Sequence, residues 1–294
     1  MPHIAITSTS GPASIHYTIS TPSNASANKI DENLPTLIFI HPVYIAQTIF
    51  HPQFADHHLR RFNLVAIDAR CHGETTGPVA STWRRADAAE DVFNFMEALG
   101  LPPCHLLGVS MGACTALQLA IAYPTRVLSL TLISPLPLQE PREVEEGRQE
   151  IYDCWVEGFR DPAEIDELAL LDAVHGALQL GFSGEESSLI NALKALSFPQ
   201  AMVNFGPGRF EEFHTASVKF FTDRKPHSTA TLSNITCPIQ LLHCTGDIAY
   251  PLEYAEELEQ LIRSAAVPVR LIKIENAPHF GNVTHPKEYV FCLP

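Results

Sequence analysis

The sequence predicts an α/β chain: a doubly wound, mostly parallel sheet carrying an inserted all-helical lid. Two observations predict the sheet. Short apolar runs recur without polar interruption, as expected of strands covered on both faces. Helix-period stretches alternate with them, the pattern of parallel strands joined by right-handed crossovers. A third observation predicts the lid: between residues 136 and 231 the strand signal disappears and helical patterns remain. The core is therefore assigned to residues 1–135 and 232–294, and the lid to residues 136–231.

Taken in order, Ile4 to Thr7 and Ile15 to Ile19 show β-type alternation. Ser20 to Pro35 is rich in Ser, Asn, Thr and Pro and reads as a surface loop. Leu37 to Ile40 is an apolar run ending at His41-Pro42, and Leu64 to Ile67 ends at Asp68. Val92, Phe95, Met96 and Leu99 fall on one helical face, and Gly100 stops that helix. His105 to Leu107 ends at Gly108; Ala113, Ala116, Leu117 and Ala120 mark the helix after it. Val127 to Ile133 ends at Ser134-Pro135. In the lid, Val144, Ile151, Trp155 and Phe159 mark one helix. Leu168, Leu171, Val174 and Leu178 mark a second, and Leu189, Leu193 and Leu196 a third. Phe205, Phe210, Phe213, Phe220 and Phe221 follow among Gly and Pro. The core resumes with Ile239 to His243, ending at Gly246-Asp247, then a helix from Leu252 to Ile262. Val269 to Ile274 is the last strand, ahead of Pro278-His279.

Composition bounds the partners. The chain has 294 residues, 46% of them hydrophobic, enough to bury a large core. Its formal net charge is −14, and residues 136–230 hold 17 acidic against 8 basic side chains, read as a solvated outer face. Such a field repels nucleic acid and anionic membrane surfaces, so a small molecule is the expected partner. No apolar run approaches the roughly 18 residues of a membrane span, and no signal-peptide pattern opens the chain. Seven cysteines, an odd number without a C-x-x-C pair, read as free thiols in a reducing compartment, the cytoplasm. Fourteen histidines include no H-E-x-x-H or comparable spacing, so neither a metal nor another cofactor is expected.

Gly108-Val109-Ser110-Met111-Gly112 is a G-x-S-x-G element that follows a predicted strand and opens a predicted helix. A serine hydroxyl is a weak nucleophile unless a base takes its proton and the backbone presents it. A sharp strand-to-helix turn presents it, and flanking glycines remove the side chains that would collide there. The same turn directs N–H groups and a helix N-terminus at developing negative charge. Ser110 is the candidate nucleophile, and the N–H of Met111 one oxyanion donor.

These residues and their order resemble the α/β-hydrolase superfamily, in its capped branch, over nearly the whole chain. The matching positions are His41 at a strand end, Asp68-Ala69-Arg70-Cys71-His72-Gly73, the serine turn, Gly246-Asp247 with Pro251, and His279. The resemblance implies a Ser110–His279–Asp247 catalytic set. His279 takes the hydroxyl proton, and Asp247 holds the second ring nitrogen. Asp223 and Asp172 are weaker candidates for the acid, and His285 competes with His279. The resemblance also implies a second oxyanion donor at Val43. His41 orients that loop and borders the substrate site, and His72 braces a turn. The chain departs from the family pattern at Pro42 and Cys71, where glycine is usual. Val43 still carries an N–H.

Acyl transfer is the implied reaction, on a small neutral, largely apolar ester or lactone. Tyr44, Trp155, Phe159, Phe182, Phe205 and Phe213 are candidate substrate contacts, and each is also an ordinary core aromatic. Carbon–carbon bond hydrolysis of a diketone, cofactor-free oxygenation or perhydrolysis, and a ligand receptor with residual hydrolysis remain open beside it.

Overall fold

The structure is a computed structural model and describes residues 2–161 and 163–290. Its strands are β1 (His3–Ser8), β2 (Gly11–Thr21), β3 (Asn24–Ala27), β4 (Thr36–Ile40), β5 (Asn63–Ile67), β6 (Cys104–Val109), β7 (Val127–Ile133), β8 (Ile239–Cys244) and β9 (Val269–Ile274). They form one sheet in the order β1-β2-β5-β4-β6-β7-β8-β9, with β3 beside β2. From β5 to β9 every pairing is parallel, while β1, β2 and β3 pair antiparallel. The sheet is thus mostly parallel, as the apolar runs predict.

The helices are α1 (His51–Ala55), α2 (Arg85–Ala98), α3 (Met111–Ala122), α4 (Arg142–Glu157), α5 (Glu167–Phe182), α6 (Ser188–Asn204), α7 (Phe210–His214), α8 (Phe220–Thr222), α9 (Thr229–Leu232), α10 (Leu252–Ser264), α11 (Gly281–Thr284) and α12 (Pro286–Val290). Alternate strand residues face opposite layers. Ile38, Ile40, Val65 and Leu106 join a core with Phe95, Leu119 and Ile262 from the helices. Leu37, Phe39, Leu64 and Leu107 join the other, with Phe50, Phe182 and Val283. This period of two leaves β4 and β5 buried at every position. No helix among the described residues is long and apolar enough to cross a membrane.

Two expectations change. The stretch read as a loop contains β3, paired with β2 across a short turn between Thr21 and Asn24. Asn-Ala-Ser-Ala carries no strand signal of its own; the neighbouring β2 edge supplies the pairing. In α5 the buried residues are Leu170, Ala173, Gly181 and Phe182. Leu168 and Leu171, taken as core-facing, are 69% and 55% exposed. Where nearly every position is apolar, periodicity cannot choose a face. Between β7 and β8 the described residues hold helices α4 to α9 and one isolated bridge, Asp161 to Glu164. Asp166 caps α5 through the N–H groups of Leu168 and Ala169, and Ser187 caps α6 through Ile190.

Candidate active site

The chain runs from β4 to β5 on one side and returns to β6 on the other side of β4. Strand order therefore reverses between β4 and β6, and open α/β sheets form a crevice at the strand ends there. Ser110 ends β6 at this point. Its φ of 53° and ψ of −110° form a strained elbow that few L-residues adopt. Two glycines make the elbow possible. A Cβ on Gly108 would strike the carbonyl of Gly112, and a Cβ on Gly112 would strike the carbonyl of Ile40. Helix α3 can thus lie directly against β4 and β6. Ser110 Oγ is buried and has no hydrogen-bond partner among the described residues.

Asp247 and His279 meet at the ends of β8 and β9. His279 Nδ1 lies 2.5 Å from Asp247 Oδ2, and both side chains are buried. Asp247 Oδ1 accepts the N–H groups of Ala249 and Tyr250 (3.0 and 3.1 Å), which fixes the carboxylate. His279 Nε2 is buried without a partner among the described residues. The end of β7 links His279 and Ser110. Ser110 N donates to Ile133 O at 3.0 Å, and the next residue, Ser134, donates its hydroxyl to His279 O at 2.5 Å. The Tyr250 ring packs on the imidazole, centroids 5.1 Å apart. Ser134 and Tyr250 were missed from the sequence, where neither stands in a motif. The competing residues lie elsewhere. His285 bonds Thr284, and Asp223 pairs with Arg84 at the surface.

The loop after β4 is held from behind. Both His41 nitrogens are committed: Nδ1 donates to Pro42 O (2.7 Å), and Nε2 accepts the Ala69 N–H (2.8 Å). Fully buried and internally satisfied, His41 braces the loop and offers no group to a substrate. His72 Nδ1 donates to Arg70 O at 2.9 Å, and its Nε2 accepts the Tyr44 N–H at 3.3 Å. Burial pushes the His72 imidazole down to about 3, so it stays neutral as these bonds require. Burial opposes ionisation of Asp68, but the hydrogen bond from His16 and the N–H groups of Gln47 and Glu74 outweigh it and lower its pKa. Tyr44 sits at φ 70° and Cys71 at φ 63°, so both loops hold a left-handed non-glycine residue, Cys71 at a position where glycine is usual. Among the described residues the N–H groups of Val43 and Met111 donate to no other group. For Met111 this follows from its place at the start of α3.

The predicted aromatic contacts divide. Tyr44, Trp155, Phe205 and Phe213 line an apolar cavity of about 70 Å³ with Phe198 and Phe280. Phe182 does not line it: it is buried edge-on against Phe280 and supports that wall. Phe159 packs outside, against Trp155 and Phe210. A second cleft, of about 550 Å³, opens between α4 and α5 and reaches Arg148, Ile248 and Ala249. Ile151 borders both spaces.

A buried polar cluster, also missed, adjoins them. Glu140 accepts from Arg148 Nε (2.7 Å), Tyr250 OH (2.7 Å) and Arg224 Nη2 (3.0 Å). Arg148 Nη2 donates to Tyr250 OH (2.9 Å), and its guanidinium lies 3.5 Å above the Phe221 ring. Burial alone would protonate Glu140; the two guanidinium groups outweigh it and keep the carboxyl below its ordinary range. Counting charges along the sequence had put these three residues on a solvated face.

Sheet, elbow and strand-end residues together define an α/β-hydrolase. The chain belongs to the alpha/beta hydrolase fold family, whose profile matches residues 35–286. A candidate carbamate hydrolase, RutD, of Klebsiella pneumoniae is 30% identical over 238 residues, covering 76% of this chain and 77% of that protein. A local match, 40% identical over 75 residues, is to the dihydrolipoyllysine-residue acetyltransferase component of the acetoin cleaving system of Cupriavidus necator. It covers 26% of this chain and spans 20% of that protein's length. The crystal structure of the enol-lactonase from Burkholderia xenovorans LB400 shares the fold, with TM-score 0.70 and 19% identity over 99% of this chain and 97% of that one.

Proposed function

We propose that the chain is a serine hydrolase that cleaves a small ester or lactone with an apolar body through an acyl-enzyme on Ser110. One observation carries this reading. Two buried polar atoms lack partners, Ser110 Oγ on the strained elbow and His279 Nε2 on the imidazole, whose other nitrogen is held by Asp247. Buried polar atoms left unpaired are costly, and nucleophile and base are the groups a substrate completes. Ser110 Oγ attacks the carbonyl carbon as its proton passes to His279 Nε2. The Asp247 carboxylate stabilises the imidazolium. The Val43 and Met111 N–H groups hold the oxyanion, each worth about 2.7–4 kcal/mol in comparable sites. The imidazolium then protonates the leaving oxygen, and water attacks the acyl-enzyme by the same route.

The apolar body lies against Tyr44, Trp155, Phe205 and Phe213, and residues 136–231 act as the lid that excludes water from it. The named activities of the carbamate hydrolase and enol-lactonase relatives fit attack at such a carbonyl. Six free thiols among the described cysteines fit a reducing compartment, and the cytoplasm is the proposed location. Cys292 lies outside the described residues. The decisive experiment labels the protein with a fluorophosphonate and follows hydrolysis of a short aryl ester. Ser110→Ala should lose the label and at least about 10⁴-fold in kcat. Undiminished labelling or turnover in the folded variant would exclude this mechanism.

A further inference from the structure

We infer that the substrate carries a carboxylate, bound by Arg148 Nη1 and the Tyr44 hydroxyl where the two substrate spaces meet. The inference rests on the serine-hydrolase reading and narrows its substrate. The expectation of a neutral substrate came from surface charge, and the interior argues otherwise. Arg148, Arg224 and Glu140 have side chains only 1–2% exposed, so two cations are buried with one anion. Arg148 spends Nε on Glu140 and Nη2 on Tyr250, and Phe221 covers one face of the guanidinium. Nη1 and the Tyr44 hydroxyl are left, both buried and with no other partner among the described residues, and the two side chains face each other. A buried cation with spare donors is unfavourable until an anion completes it.

The location connects this pair to the reacting centre. Tyr250, which bonds Arg148, packs against the His279 ring, and Tyr44 directly follows Val43. Arg148 lines the larger cleft, and Tyr44 lines the aromatic cavity. Through these neighbours the pair adjoins His279 and the loop after β4, and a short dicarboxylic half-ester or a lactone bearing a carboxylate is the ligand class it fits. Space decides between the two arginines. Arg224 also has unpartnered nitrogens, but its pocket beside Arg85 and His227 offers only about 30 Å³, room for water rather than a ligand. The cleft at Arg148 is about 550 Å³. Glu143, Glu150 and Asp172 at the cleft mouth oppose an anion, yet all three are exposed and screened within about 8–10 Å. Arg148 acts in a low-dielectric interior, so its attraction prevails.

The test compares two substrates with one leaving group, the para-nitrophenyl half-ester of glutaric acid and its methyl-capped neutral diester. The whole protein should favour the acid by at least about tenfold in kcat/KM, through KM, as expected for a charge-assisted hydrogen bond. Arg148→Met should bring the ratio near one and Arg148→Lys should restore part of it. Tyr44→Phe should lower the ratio severalfold. Should Arg148→Met fail to fold, Tyr44→Phe and competitive inhibition by free glutarate decide the matter. Equal turnover of the two esters, or a ratio unchanged in Tyr44→Phe, overturns the carboxylate site and leaves the hydrolase intact. Absence of both turnover and fluorophosphonate labelling would instead fail the serine-hydrolase reading.

Discussion

Arg70 and Arg148 are each 1% exposed, yet they meet their burial in opposite ways. Arg70 forms a two-point pair with Asp91 (2.7 and 3.0 Å). Its remaining donors reach Ser8 Oγ and the carbonyls of Gly11, Pro12 and Pro78. No polar atom of its guanidinium lacks a partner. Arg148 shares one carboxylate with a second cation and keeps an unused nitrogen at a cleft. The lesson is that burial alone does not assign a role to a charge. A saturated arginine is a brace that fastens the loop after β5 to the start of β2. An unsaturated one beside open space is a recognition group.

The largest test of this contrast is stability. Arg70→Met should cost about 3–5 kcal/mol in urea unfolding, because it strands the Asp91 carboxylate in the interior. Arg148→Met should cost about half as much or less, since Glu140 keeps Arg224 and Tyr250. Equal losses would break the distinction. The brace also makes a pH prediction through His72, which bonds the Arg70 carbonyl. Its folded pKa, about 3, lies below the unfolded value near 6.5, so the unfolded chain takes up this proton first. Stability is therefore complete above pH 6.5 and falls by about 1.4 kcal/mol per unit below it, about 2 kcal/mol by pH 5. His72→Gln should flatten that slope. The depressed carboxyl of Asp68 adds its own loss only below about pH 4.

Smaller changes sharpen the comparison. Tyr250→Phe removes a hydroxyl that serves both Glu140 and Arg148, and should lower unfolding free energy by about 1.5 kcal/mol. A neutral result would mean the cluster is already satisfied without it. Cys71→Gly relieves a left-handed residue but loses a buried thiol, so the net gain should stay below about 1 kcal/mol by the same urea assay.

What could be read from the sequence follows the range of the interaction. The strands at residues 37–40, 64–67 and 127–133 declare themselves because each is buried on both faces by local composition. Ser110 is legible because its turn needs two glycines within five residues. His41 was legible as a neighbour of the site, but the Ala69 N–H that occupies its ring lies 28 residues away. The Glu140–Arg224 and Arg148–Tyr250 contacts span 84 and 102 residues. No period or spacing encodes such pairs, and charge counting assigned them outward. The face of α5 failed for another reason: its leucines outnumber the positions the core can cover.

Ser134 joins two parts of the fold. It is where the polypeptide leaves the sheet for the 136–231 segment, and its hydroxyl is tied to the main chain of His279. The helices between β7 and β8 are thus anchored, at their point of departure, to the peptide that carries the imidazole.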